Sequence, residues 1–158
     1  MLTQNSISLI VYDFDGVMTN NTAIVSEDGV ESVTVNRSDG LAVEIIKSRG
    51  IPQLILSKEG NKVVSARAAK LDIPVIHGAN DKKKILIDYC RNNSIDITKV
   101  VYIGNDLNDV PVMMTVGYPM APQDAYSEAK EVAKFIIPVA GGNGVVRELL
   151  KYIKFEEV

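Results

Sequence analysis

Tryptophan is absent, histidine and cysteine occur once each, and aromatic residues make up only 6% of the chain. With Cys90 alone, no intrachain disulfide framework can form, and a reducing cytoplasm is the simplest home. Cys90 follows Ile85, Leu86, Ile87 and Tyr89 in a helical pattern and reads as core packing rather than a nucleophile. His77 has no second histidine with which to build a site, so a packed or turn-bonded imidazole is expected. Net charge is also small. Seventeen basic against 20 acidic residues give a net charge of −3, which leaves no nucleic-acid or membrane footprint. Anionic small substrates stay open, because the local placement of lysines counts for more than the total. The amino terminus lacks a basic-then-apolar leader pattern, and no apolar run approaches membrane-spanning length. Internal repeats, low-complexity tracts and Pro/Ser-rich linkers are missing too. What remains is an ordinary globular composition, and a length of 158 residues that suits one domain over 1–158.

The most informative stretch is Leu9–Asn20. Leu9, Ile10, Val11 and Tyr12 form an apolar run too short for a helix, which predicts a buried strand ending at two carboxylates, Asp13 and Asp15. In extended backbone alternate side chains share a face, so both acids point one way and Phe14 turns back to the core. Two carboxylates in one crevice repel. A hard cation such as Mg²⁺ relieves that repulsion and leaves a carboxylate free to attack phosphorus or move a proton. An Asx turn with solvated acids is the plainer account of the same four residues, Asp-Phe-Asp-Gly.

Behind this loop, Thr22–Val25 and Glu31–Val35 flank Ser26-Glu27-Asp28-Gly29 and predict a hairpin. Placed directly after the first strand, it cannot join a βαβ crossover and must project from the sheet, to cover the site or pair with another subunit. Ser38 or Asp39 is placed to cap a helix over 41–49. Strands follow at 53–56, 75–77, 100–103, 118–121 and 135–137. Helices are expected at 59–71, 81–92, around Met113-Met114, and at 145–154. Alternating strands and helices predict an α/β fold: a three-layer α/β/α Rossmann-like parallel sheet with a projecting β-hairpin and no separate cap domain.

Three further features fall at strand ends. Ser57 follows Leu54-Ile55-Leu56, where its hydroxyl can hold a phosphate oxygen beside a helix N-terminus or simply cap that helix. Lys82, Lys83 and Lys84 open a helix where the dipole disfavours cations, so at least one of them calls for an anionic partner, unless the run is merely solvated. The strand 100–103 ends in Gly104-Asn105-Asp106-Leu107-Asn108-Asp109, a cluster of oxygen donors suited to a hard cation.

The order Asp-x-Asp-Gly-Val-x-Thr, strand-Ser, Asp-Lys, Gly-Asn-Asp-x-x-Asp resembles the haloacid dehalogenase superfamily of phosphatases over nearly the whole chain. With no room for a cap domain, and with Gly141-Gly142-Asn143-Gly144-Val145-Val146-Arg147-Glu148 near the end, it looks like the cap-less branch. That branch contains KDO 8-phosphate phosphatases, sialic-acid-type 9-phosphate phosphatases and the phosphatase-like domain attached to acylneuraminate cytidylyltransferases. The resemblance implies Asp13 as nucleophile and Asp15 as general acid/base, with Ser57 and Lys82 binding the transferring phosphoryl group. It implies Mg²⁺ held by the Asp13 carboxylate, the Asp15 carbonyl and the Gly-Asn-Asp loop, through Asn105 or Asp106, with Asp109 in support. Asn105 departs from the commoner aspartate and points toward the sialic-acid side. There a glutamate, an arginine and a lysine matching Glu59, Arg67 and Lys70 contact the sugar, partly across a subunit boundary; a solvated helix face is the plainer account of the three. The resemblance further implies a homotetramer with shared sites, in which the Gly141–Gly144 tail folds over a neighbouring subunit's site. The expected substrate is therefore a phosphorylated 2-keto-3-deoxy sugar acid, preferably with nine carbons. Eight-carbon KDO 8-phosphate and a non-catalytic oligomerisation module are the alternatives.

Overall fold

The computed structural model describes residues 1–156. Its elements are β1 (Leu2–Thr3), β2 (Leu9–Tyr12), β3 (Ile24–Val25), β4 (Glu31–Ser32), α1 (Arg37–Ser48), β5 (Gln53–Leu56), α2 (Lys62–Leu71) and β6 (Val75–Ile76). There follow α3 (Lys82–Asn92), β7 (Val100–Ile103), α4 (Val110–Met113), β8 (Tyr118–Pro122), α5 (Ser127–Val132), β9 (Phe135–Ile137), α6 (Val145–Leu149) and β10 (Ile153–Lys154). Among the described residues, six strands form one parallel sheet in the order β6-β5-β2-β7-β8-β9.

The period of two along each central strand builds two cores. Ile10, Tyr12, Ile55, Val101 and Ile103 pack against apolar residues of α1, α2 and α6 on one face. Leu9, Val11, Leu54, Leu56, Val100 and Tyr102 pack against α3, α4 and α5 on the other. A sheet buried on both sides therefore reads as continuous apolar runs, as β2, β5 and β7 do. From β2 the chain winds out through β5 and β6, then returns to the opposite side of β2 to lay down β7. The connections thus diverge between β2 and β7, and the crevice at their C-terminal ends is where an open sheet binds ligands.

Several boundaries differ from expectation for local reasons. Helix α1 starts earlier than 41, because Asn36, rather than Ser38 or Asp39, caps it by accepting from the Ser38 N–H. Helix α2 begins at Lys62 instead of 59, after Gly60 and Asn61. The final helix stops at Leu149; a 3₁₀ turn and β10 follow, and β10 pairs with β1, an element the sequence did not announce. The hairpin of β3 and β4 stands outside the large sheet as expected, with Ile24, Val25 and Val30 exposed.

Asp39, freed from capping its own helix, lies buried and accepts from the Arg147 N–H at the start of α6, joining α1 to α6. Its other carboxylate oxygen has no partner. Burial outweighs the two backbone N–H groups and nearby Arg67, and pushes the carboxyl up from 3.8 to about 6. The fold therefore holds this proton more tightly than the unfolded chain, and the contribution to stability falls as pH rises from about 4 to about 6. Asp39→Asn keeps an acceptor for Arg147 and removes the buried charge. It is expected to stabilise the protein by about 1–3 kcal/mol at pH 7, with the gain fading toward pH 4, as thermal melts across that range will read.

Candidate active site

Asp13 follows the last residue of β2, and its backbone N–H bonds the Ile103 carbonyl of β7, so the first carboxylate is fixed by the sheet itself. Phe14 is buried behind it, while Asp13 and Asp15 line one pocket, as alternation requires. Gly16 adopts φ +84, and a Cβ there would stand 2.0 Å from the Asn105 amide nitrogen, so only glycine lets the first loop approach the second.

Of the three lysines opening α3, Lys82 is the one with anionic partners. Asp81 caps the helix through the Lys84 N–H, and Lys82 runs inward to a position only 2% exposed. Its ammonium donates to Asp13 Oδ1 at 2.8 Å and to Asp109 Oδ1 at 2.8 Å. Asp109 is fully buried and saturated. Oδ1 also accepts from the Tyr102 hydroxyl at 2.6 Å, and Oδ2 accepts from the N–H groups of Asn105 at 2.9 Å and Asp106 at 3.4 Å. It therefore ties α3 to the loop after β7 and has no lone pair to spare for a cation. Burial lowers the proton affinity of Lys82, but Asp13 and Asp109 more than restore it, leaving it above its ordinary value. Burial, and then Asp109, push Asp13 up, while Lys82 and the Phe14 N–H pull it back. Burial raises Asp15 as well, reinforced by Glu59 and opposed by Lys82.

The Asn105 side-chain oxygen stands 3.0 Å from both the Asp15 carbonyl oxygen and Asp13 Oδ2, neither of which can donate. Turned over, the amide would donate to both; as it stands, three oxygens face one another. The edge of a Mg²⁺ octahedron with ligands at 2.0–2.1 Å is about 2.9 Å. This donor set thus fits a hard divalent cation, which would make the oxygen-inward amide the favourable one. Among the described residues, no group of three or more His, Cys, Asp or Glu side chains is arranged to hold a metal ion. One carboxylate, one carbonyl and one amide would serve instead. Asp106 lines the same pocket but bonds the Leu107 N–H, which leaves Asn105 as the loop's inward donor.

Ser57 directly follows β5, the neighbour of β2, and is 1% exposed with its hydroxyl unpartnered. The pocket at the strand ends, about 340 Å³, is lined by Asp13, Asp15, Asn21, Lys58, Glu59, Asn105, Asp106, Leu107 and Asn108.

Residues 46–149 match the model of the haloacid dehalogenase-like hydrolases. The chain belongs to that family. The 3-deoxy-D-manno-octulosonate 8-phosphate phosphatase KdsC of Escherichia coli (strain B / BL21-DE3) is 31% identical over 150 residues, covering 94% of this hydrolase and 80% of that enzyme. Among solved structures, the corresponding phosphatase of Moraxella catarrhalis, in complex with magnesium, phosphate and KDO, superposes with a TM-score of 0.90 at 28% identity, over 94% of this chain and 86% of that one. A Streptomyces avermitilis protein provisionally assigned to the same hydrolases has a TM-score of 0.93 at 40% identity, covering 97% and 88%.

Within one copy of this hydrolase, two groups of residues singled out from the sequence are placed as follows. Glu59, Arg67 and Lys70 are not brought together: Glu59 lines the pocket of Asp13, whereas Arg67 and Lys70 line a separate groove of about 590 Å³ between α1, α2 and the base of the hairpin. Arg67 donates there to the Asn36 carbonyl. Nine residues separate Lys70 from Gly60, and the helical geometry of α2 carries its C-terminal half away from the loop that holds Glu59. The Gly141–Gly144 run packs on the chain's own first loop. The Gly142 N–H bonds the Val17 carbonyl, and a Cβ at Gly141 would lie 2.2 Å from the Gly16 carbonyl oxygen. Three residues of the site escaped the sequence reading: Tyr102, taken only as strand core, and the pocket-lining Asn21 and Lys58. A phenol in a fully buried strand needs a hydrogen-bond partner, and that was the available signal for Tyr102.

Lys82→Met leaves Asp13 and Asp109 buried without their counter-charge. A loss of about 3–5 kcal/mol is expected, seen as a melting temperature lower by roughly 10 °C at pH 7. The deficit shrinks as pH falls and a carboxylate protonates, and melts of both proteins at pH 5 and pH 7 will check it.

Proposed function

We propose that the chain is a Mg²⁺-dependent phosphatase acting on a phosphorylated 2-keto-3-deoxy sugar acid through an aspartyl-phosphate intermediate. The observation that carries this reading is the convergence on Asp13 of the Lys82 ammonium on one carboxylate oxygen and the Asp15 carbonyl and Asn105 side-chain amide beside the other. When bound, Mg²⁺ supplies Lewis-acid neutralisation of the phosphoryl oxygens. The rest belongs to the chain. Asp13 attacks phosphorus, and its new O–P bond forms as the P–O bond to the sugar breaks. Asp15, whose raised proton affinity suits a general acid, gives its proton to the departing sugar oxygen. It then takes a proton from the water that attacks the phosphoaspartate, and Asp13 is released as a carboxylate with inorganic phosphate. Lys82, with one N–H not committed to a carboxylate, and the unpartnered Ser57 hydroxyl hold the equatorial oxygens in place. Asp109 supports by holding Lys82 and the Asn105 loop.

The eight-carbon acid phosphate is the first substrate to test, supported by the likeness to KdsC and to the Moraxella phosphatase. The nine-carbon sialic-acid-type 9-phosphate is the second, supported by Asn105 in the last motif. Asp13→Asn is expected to lower phosphate release by at least about a thousandfold, and chelation of the metal is expected to abolish it in the parent protein. A panel of the two sugar-acid phosphates and an aryl phosphate, compared by kcat/KM, decides the substrate. Absence of Mg²⁺-dependent turnover of every member leaves the non-catalytic module in place of the enzyme.

Four carboxylates, Asp13, Asp15, Glu59 and Asp106, line the pocket with Lys58 as the one lining cation among the described residues. An anionic sugar acid therefore needs positive charge from elsewhere. Half-buried Arg67 and exposed Lys70, on another face, can supply it to a neighbouring copy, and the exposed Ile24, Val25 and Val30 of the hairpin suit burial between copies. This supports a homotetramer with shared sites; light scattering is expected to give four times the chain mass, and a monomeric mass rejects it.

A further inference from the structure

We propose that Tyr102 is a positioning residue for phosphoryl transfer, acting through Asp109 on Lys82; this rests on the phosphatase reading above. The phenol is fully buried at the middle of the sheet, on β7 directly beside Val11 of β2. It belongs to the same buried core as Leu86, Val112 and Met113, beneath α3 and α4. Its hydroxyl reaches out of that apolar setting to Asp109 Oδ1 at 2.6 Å, the same oxygen that Lys82 touches at 2.8 Å.

Two donors on one oxygen compete for its electron density. The Lys82 ammonium is shared in turn between Asp109 Oδ1 and Asp13 Oδ1, both at 2.8 Å. The tyrosine hydroxyl therefore sets how strongly Asp109 draws on the ammonium. With the hydroxyl present, part of the charge of Asp109 is spent on Tyr102, and Lys82 is balanced between the two carboxylates. Without it, Asp109 has the lysine as the sole donor to that oxygen and draws it away from Asp13 and the phosphoryl group. In a water-excluded site, this costs most where negative charge builds on the equatorial oxygens, which is the transition state rather than the bound substrate.

A purely structural hydroxyl would behave differently, and the chain supplies its own control. Tyr12 on β2 is also fully buried, and its hydroxyl bonds Gln53 Oε1 at 2.8 Å on the other face of the sheet, among the residues packed on α1. Tyr12→Phe thus deletes a buried hydroxyl without touching Asp109. Both Phe variants are assayed with an aryl phosphate and Mg²⁺, alongside inhibition by orthovanadate, whose bound form approximates the transition state, and by inorganic phosphate. For Tyr102→Phe, kcat is expected to fall about tenfold with KM within twofold, and vanadate inhibition to weaken about tenfold while phosphate inhibition stays within twofold. Tyr12→Phe is expected to leave all four within twofold. The proposal is overturned if Tyr102→Phe only lowers the melting temperature, if its kcat and KM effects match those of Tyr12→Phe, or if vanadate and phosphate weaken equally. Failure of the parent protein to hydrolyse any phosphate ester, by contrast, rejects the phosphatase reading itself.

Discussion

One ammonium group held between two buried carboxylates is the constraint around which the structure is arranged. Lys82, Asp13 and Asp109 arrive from the start of α3, the end of β2 and the loop after β7, and none of the three is more than 5% exposed. Each charge is tolerable in the interior only because the others are there. With both carboxylates ionised the three sum to one negative charge, and the remaining oxygen of Asp13 lies beside the Asn105 side-chain amide, which also adjoins the Asp15 carbonyl. A buried excess of negative charge beside neutral oxygen donors is an environment that a hard cation completes.

The scaffold supplies the rigidity this arrangement needs. β2 and β7 are neighbours along four residues, so the two loops that leave them start from fixed points. Glycine at position 16 allows one loop to close on the other, and the Gly141–Gly142 turn braces the first loop from behind. Chemistry at these strand ends is thus carried by short loops on a sheet that is packed on both faces, which favours precise placement over adaptability. The hairpin and the groove between α1 and α2 belong to a different level of organisation. Their exposed apolar residues, with Arg67 and Lys70, lie away from the pocket carboxylates and are suited to contacts between copies.

Membership of the haloacid dehalogenase-like hydrolases and the convergence of Asp13, Lys82 and Asn105 in one crevice agree with the motif order read along the chain. The motif order was legible because each chemical residue sits directly after a run of β-branched or aliphatic residues, and the C-terminal ends of parallel strands share one edge. Three lysines at a helix start likewise announced an anionic partner, since the dipole there opposes them. The separation of Glu59 from Arg67 and Lys70 was not legible: the sequence places all three near one helix, but the loop at 58–61 delays its start and leaves Glu59 at the sheet edge. Nor was the capping of α1 by Asn36, where several adjacent polar residues were equally able to serve.

The sequence by itself determined the strand and helix alternation, the two-sided burial of the sheet, and the residue types that gather at its C-terminal edge. It did so because period and composition are local properties that burial enforces residue by residue. Only the tertiary structure decided that β7 returns beside β2, that Lys82 is shared between Asp13 and Asp109, and that Tyr102 completes its surroundings. Those outcomes depend on which strands become neighbours and on the mutual compensation of buried charges, and neither is encoded in any single stretch of the chain.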